Sequence, residues 1–145
     1  MKKLSTILLF CILTVGMVSV ASAEDWRLIG ADNANGTVWY FDTQSFIETT
    51  DTTYSVLVKQ QLTKAYGKKL SNEYSFKEPI AYLLDKYEFN YTNNQFRILS
   101  STYYTEKHTV IYAINNSTNW HNNSLAVYAD TLFTLTYDYY KKHYK

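Results

Sequence analysis

Apolar residues recur with a two-residue period over most of the chain, and this pattern predicts β-strands. Residues 53–62 show it most clearly, because Tyr54, Val56 and Val58 fall on one side of the expected strand. Shorter runs of the same kind predict further strands, separated by turn residues such as the Asn-Gly pair at 35–36. These runs are residues 25–30, 37–41, 81–89, 95–104 and 110–114.

The period becomes helical after Ser124, which predicts a C-terminal α-helix with Asn123 or Ser124 as its N-cap. A run of strands that ends in one helix is typical of the α+β class. We therefore predict an antiparallel, about six-stranded, meander-like sheet that is packed on one face by the C-terminal helix. The residues expected on the sheet side of the helix are Leu125, Tyr128, Leu132, Leu135 and Tyr139.

The first 23 residues have the three parts of a secretory signal peptide. Lys2 and Lys3 precede an apolar stretch at 4–20, and Ala21-Ser22-Ala23 forms a small-residue cleavage site. The apolar stretch is short for a membrane anchor. We therefore expect residues 1–23 to be removed and residues 24–145 to act as a single domain in the periplasm, at the cell surface or outside the cell, with no integral membrane segment after cleavage.

The composition of residues 24–145 argues against cysteine-based sites and against a nucleic-acid partner. The only cysteine, Cys11, lies in the leader, so the expected domain has neither a disulfide nor a cysteine-ligated metal. Without Lys2 and Lys3, the fourteen Lys and Arg residues fall to twelve, against thirteen Asp and Glu residues. A nucleic-acid partner is not expected, since phosphate binding needs a surplus of clustered positive charge.

Residues that carry catalytic chemistry do not form a recognisable motif. The sequence holds no P-loop, no dinucleotide-binding glycine pattern and no G-x-S-x-G. Asp42, Asp85 and Glu88 could form a hydrolytic pair only if two of them converged in a cleft. We predict a protein that is not an enzyme and that needs no cofactor.

The remaining polar candidates have structural interpretations. His108, His121 and His143 lack metal-ligand spacing, so three exposed histidines are expected and no metal site is predicted. Arg97 could hold a ligand carboxylate, but a pair with Glu88 that covers apolar surface is the favoured interpretation.

Lysines and aromatic residues interleave over residues 64–79, which contain Pro79, the only proline. This polar stretch predicts a surface loop with at most a helical turn. Interleaved cations and rings suit contact with acidic matrix proteins, sulfated glycans or lipid headgroups, although a solvated loop is the simpler interpretation. The residues proposed for partner contact are Lys64, Tyr66, Lys68, Lys69, Tyr74, Phe76 and Lys77.

The chain resembles the family of small surface adhesins typified by protein E of a respiratory pathogen. The segments that carry the resemblance are DWRLIG at 25–30, WYFD at 39–42, YEF at 87–89 and FRILSSTYY at 96–104, followed by Trp120 and the final helix. The resemblance implies a six-stranded antiparallel sheet with a C-terminal helix and adhesion to host matrix proteins. The family commonly has one cysteine where this chain has Asn90 and another near the end of the last helix, and both are missing here.

These observations favour an exported, non-enzymatic binding domain, with host matrix proteins as partners by resemblance. The alternative is a periplasmic domain that binds a small ligand or inhibits an enzyme, with its site between helix and sheet. A deep pocket would favour the alternative, whereas a flat tyrosine-rich surface would favour a protein partner. An unpaired sheet edge would also allow a homodimer.

Overall fold

A computed structural model of the chain describes residues 24–125 and 128–145. The predicted leader, residues 1–23, lies outside the described residues, as does the side chain of Leu125. In the described part, no helix is both long and apolar enough to span a membrane.

The described strands form one antiparallel sheet. Six of them follow the order β1-β2-β4-β5-β6-β7, while β3 extends the β2 side of β4 and β8 pairs with the start of β6. Two α-helices accompany the sheet, so the predicted α+β class with a C-terminal helix is confirmed. The strands are β1 (Trp26–Asp32), β2 (Thr37–Asp42), β3 (Ile47–Thr50), β4 (Thr53–Leu62), β5 (Tyr82–Asn90), β6 (Gln95–Tyr104), β7 (Val110–Ile114) and β8 (His121–Asn122).

The helices are α1 (Lys64–Glu73) and α2 (Ala129–His143), with a short 3₁₀ turn at Asn123–Leu125. Helix α1 corrects the sequence prediction, which placed a surface loop there. Only residues 74–81 lack helix or strand structure between α1 and β5, which begins at Tyr82.

Both helices lie on the same face of the sheet. The register pairs Tyr54 with Phe89 and Val56 with Tyr87, so these side chains share one face, and they pack in one core cluster with residues of α2. Further along the same strands, Leu62 and Leu83 form a second cluster with residues of α1. The sheet therefore has one covered face, with α2 over one end and α1 over the other.

Helix α2 docks through a stripe that differs from the predicted one. Leu132, Thr136 and Tyr140 are buried, whereas Leu135 is 39% exposed and Tyr139 is only partly buried. Contacts with the sheet set the buried stripe, because Tyr54 bonds to Thr136 and stacks on Tyr140. The helix begins at Ala129 and not at the predicted caps. Asn123 is buried instead in the 3₁₀ turn, where its side-chain amide donates to Asn94 Oδ1 at 2.9 Å.

Candidate functional site

Helix α1 is held against the sheet by its first turn and by one close backbone contact. Thr63 caps it, because its hydroxyl oxygen accepts from the Tyr66 amide at 3.3 Å. A Cβ atom added at Gly67 would lie 1.8 Å from the carbonyl oxygen of Ile80, so only glycine allows this approach. The Ser71 hydroxyl completes the contact by donating to the Gly67 carbonyl and accepting from the Ile80 amide, each at 2.8 Å.

A cleft of about 270 Å³ opens on the covered face between α1 and Tyr128, the residue that precedes α2. Its walls come from both helical regions and its floor from the strands of the sheet. Five of the lining residues are aromatic. The lining consists of Asp32, Asn35, Thr37, Trp39, Gln60, Leu62, Tyr66, Leu70, Tyr74, Leu83, Tyr103 and Tyr128.

Asp32 supplies a carboxylate to the cleft. It accepts hydrogen bonds from the Asn35 side-chain amide and from the Ala34 backbone amide, both at 2.9 Å. The Asn35 bond is the main reason that the pKa of Asp32 is lowered, since both bonds favour the charged form. Loss of solvent raises the pKa of the neighbouring Tyr128, and the Asp32 charge adds to this effect. The cleft therefore carries an ionised carboxylate beside a neutral phenol.

Beneath the cleft lies a buried polar pair. The Gln60 amide donates to Asp85 Oδ2 at 2.6 Å, and Asp85 is 3% exposed. Burial raises the pKa of Asp85, and the hydrogen bond from Gln60 opposes this only in part. Within the described residues, Asp85 Oδ1 and the indole nitrogen of Trp39 are buried without a hydrogen-bond partner. Orphaned polar atoms of this kind call for an explanation such as a bound water or ligand.

A row of four aromatic side chains separates the cleft from the β7 edge. We call Tyr74, Phe76, Tyr103 and Tyr112 the aromatic ridge. The Phe76 ring centroid lies 5.7 to 5.8 Å from the other three rings. Tyr74 and Tyr112 are 53% and 51% exposed, and Val110 beside them is 52% exposed. The ridge is thus a continuous apolar surface that is open to a partner.

The structure divides the predicted contact residues between these features. Tyr66 lines the cleft, while Tyr74 and Phe76 lie on the ridge. The lysines stay on the outer surface around α1. Lys64 pairs with Glu106 at 3.6 Å, Lys69 pairs with Glu73 at 4.0 Å, and Lys68 and Lys77 are exposed.

The other candidates occupy separate places. Arg97 pairs with Glu88 at 2.5 Å and lies over the Trp120 ring, 4.7 Å from its centroid, which confirms the favoured structural interpretation. Asp85 is three positions from Glu88 on β5, so the two carboxylates point to opposite faces of the sheet.

The remaining polar candidates also stay apart. Asp42 accepts from the backbone amides of Asp25 and Gln44. His108, His121 and His143 are exposed, and the described residues contain no group of three or more His, Cys, Asp or Glu that could hold a metal ion.

Sequence reasoning missed Trp39, Gln60 and Tyr128 as site residues, and it named Asp85 only as a possible member of a hydrolytic carboxylate pair. A usable signal existed for two of them. Gln60 stands between Val58 and Leu62 on an apolar face, and Asp85 stands between Leu83 and Tyr87 on the neighbouring strand. Polar interruptions of two apolar strand faces predict a polar spot on the covered face, and the register makes Gln60 and Asp85 diagonal neighbours there.

Comparisons with protein-family models, with curated proteins and with solved structures found no significant match. The cleft, the aromatic ridge and the lysines around α1 are therefore the features that indicate a function.

Proposed function

We propose that this protein is an exported, non-enzymatic binding domain that recognises a protein partner through the aromatic ridge and the lysines around α1. The observation that carries this proposal is the exposure of the ridge. Tyr74 and Tyr112 offer large rings at low entropic cost, and such residues dominate protein interfaces. Their packing against Phe76 and Tyr103 holds the surface in one arrangement before a partner arrives.

The partner class follows from charge and from the family resemblance. Lys64, Lys68, Lys69 and Lys77 are exposed cations on or just after α1, and this favours a partner that carries acidic groups. The resemblance to surface adhesins makes host extracellular-matrix proteins the first partners to test. Action in the periplasm, at the surface or outside the cell is part of the same proposal.

A binding role, and not catalysis, is supported by the separation of the acidic side chains. Asp85 lies on the covered face, Glu88 on the opposite face, and Asp42 is engaged by backbone amides. A carboxylate pair for glycoside hydrolysis would instead have to flank one substrate.

Strand β7 adds a route to a homodimer. Among the strands that the structure describes, β7 pairs only with β6 and is an edge strand, and Val110–Ile114 contains neither a charged residue nor a proline. Edges without such protection can pair with another strand. We therefore include self-association through β7 in the proposal, and the oligomeric state must be measured together with binding.

The binding test uses residues 24–145, which contain every described element, over a panel of immobilised extracellular-matrix proteins. We expect Tyr112→Ser to weaken binding by about tenfold, the effect of losing a hot-spot ring. Leu28→Ser is the matched control, because Leu28 is an exposed apolar residue on the far edge strand. Light scattering of each variant reports whether a homodimer forms.

The lysines are tested by charge reversal. Lys68→Glu with Lys69→Glu is expected to slow association, with a loss that shrinks at high salt. Lys141→Glu with Lys142→Glu on α2 is the matched control. Absence of binding to every panel member at low salt would contradict the matrix-protein proposal. Equal losses in the test and control variants would contradict the assignment of the surface.

A second candidate function is small-ligand binding, and the cleft is the observation that favours it. The cleft combines aromatic walls with buried polar atoms at its floor, as ligand sites commonly do. Arg97, for which a ligand anchor is the alternative interpretation, lies on the opposite face with Glu88. A ligand in this cleft must therefore be recognised by other chemistry.

A further inference from the structure

The walls of the cleft are rich in rings and poor in positive charge. Trp39, Tyr66, Tyr74, Tyr103 and Tyr128 line it, and the described lining includes no Lys, Arg or His. Aromatic faces carry partial negative charge and attract cations. A lining of this kind repels an anion and accommodates a cation.

The cleft also carries a formal negative charge, which adds to the partial negative charge of the ring faces. Asp32 is part of the lining, and its lowered pKa keeps it ionised at neutral pH. Its hydrogen bonds from Asn35 and Ala34 fix the carboxylate in position. Its nearby partners are thus neutral donors, so the negative charge of Asp32 has no compensating cation among the lining residues.

The protein's own cations contact rings elsewhere. Lys59 lies over Trp26 and Tyr82, with 5.7 and 4.8 Å to the ring centroids, and Arg97 lies over Trp120. Arg27, Lys141 and Lys145 lie over rings near α2. Within the described residues, none of these contacts uses a ring of the cleft. Trp39 stacks on Tyr128 with ring centroids 5.5 Å apart, so one face of each of these two rings is already covered. The remaining ring surfaces of the cleft are those that a cation from outside the chain could contact.

We propose that the cleft binds a small organic ammonium ion, which the aromatic walls and the Asp32 carboxylate hold together. This inference rests on the second candidate function, small-ligand binding. The volume of about 270 Å³ suits a ligand no larger than a few heavy atoms around one nitrogen. A trimethylammonium group fits this chemistry best, because its charge is spread over methyl groups that pack against rings.

The test is a titration of residues 24–145 followed by NMR of the indole N–H groups. The probe is choline, and the control ligand is 3,3-dimethylbutan-1-ol, which has the same shape without the charge. The chain has three tryptophans, and Trp26 and Trp120 contact Lys59 and Arg97 on the opposite face, so they serve as internal controls. We expect choline to shift the Trp39 signal selectively and to bind about tenfold more tightly than the alcohol.

Two single-residue variants test whether the Asp32 carboxylate contributes to choline binding. Asp32→Asn is expected to weaken choline binding several-fold, whereas Asp138→Asn, on the exposed side of α2, leaves it unchanged. Equal affinity for choline and the alcohol would overturn the ammonium proposal and leave ligand binding in place. No selective shift of Trp39 with either probe would overturn both. If only Asp138→Asn weakened binding, the assignment to the cleft would be wrong.

Discussion

The two ends of the covered sheet face use aromatic residues in opposite ways. Under α2, Tyr54 stacks on Tyr140 with centroids 4.6 Å apart, and both side chains are fully buried. Under α1, the fully enclosed cluster is reduced to Leu62, Ile80 and Leu83, and the rings of the ridge lie at its open margin. The α2 end is a sealed core, whereas the α1 end is an accessible surface.

This difference supports a division of roles in a domain without a disulfide. The α2 end stabilises the fold, and the α1 end carries the surfaces proposed for recognition. Burial of large rings contributes most of the driving force for folding, so the α2 end can stabilise the sheet alone. The α1 end is then free to expose aromatic rings and a cleft. Substitutions at the two ends should therefore affect different measurements.

The largest effect is expected for Phe89→Ala at the α2 end. Phe89 is fully buried among Tyr54, Tyr87 and Phe133, so truncation should lower the free energy of unfolding by about 3 to 5 kcal/mol. Leu70→Ala at the α1 end, where the side chain is only half-buried, should cost about 1 kcal/mol. Chemical denaturation measures both. Equal losses of unfolding free energy would contradict the distinction between a sealed core at the α2 end and an accessible surface at the α1 end.

Gly67→Ala tests whether α1 is a separable unit. The added Cβ would collide with the Ile80 carbonyl, which forces the helix away from the sheet at a cost of about 1 to 3 kcal/mol. Because the α2 end is untouched, we expect ligand and partner binding to weaken while the core at the α2 end stays folded. Hydrogen exchange should show faster opening of α1 than of β4 and β5. Equal acceleration throughout the chain would contradict separability.

The same glycine explains why α1 could not be predicted. Gly67 disfavours a helix by about 1 kcal/mol relative to alanine, and only Tyr66 and Leu70 mark an apolar side. The close contact with Ile80 that needs this glycine exists only after folding. By contrast, the ten alternating residues of β4 gave its bounds correctly, since alternation follows directly from burial of one face.

The candidate site was predictable only in part, for a similar reason. Tyr74 and Phe76 were named from sequence, but their ring partners Tyr103 and Tyr112 come from later strands. The cleft joins residues from β2, β4 and α1 through strand order, which local patterns do not specify. Helix α2 shows the same limit, because contacts with Tyr54 from β4 place Thr136, and not Leu135, in the buried stripe.

Asp85→Asn should stabilise the protein at neutral pH by about 1 to 2 kcal/mol, because it removes a buried charge and keeps an amide partner for Gln60. Burial raises the pKa of Asp85 in the folded state, so this group favours folding in acid and loses that contribution as pH rises through the folded pKa. The gain of the variant should therefore grow with pH.

Thermal unfolding of Asp85→Asn from acidic to neutral pH measures this trend. Glu88→Gln on the opposite face is the matched control, and it should destabilise the protein at pH 7 because Arg97 loses a charged partner. A gain for Asp85→Asn that does not depend on pH would contradict the assignment of the effect to the buried carboxyl.

The smallest effects are expected for the loss of a single hydroxyl, and Tyr54→Phe in the sealed core should cost about 1 kcal/mol. The Thr136 hydroxyl donates to the Leu132 carbonyl at 2.8 Å, so Tyr54 must donate in its own 2.8 Å bond with Thr136. Tyr112→Phe removes a hydroxyl from the exposed ridge and should change stability by less than about 0.5 kcal/mol. Chemical denaturation of both variants under the same conditions measures the two changes in unfolding free energy. If the ridge hydroxyl cost as much as the buried one, the ridge would be contributing to folding, and its exposure could no longer be attributed to recognition.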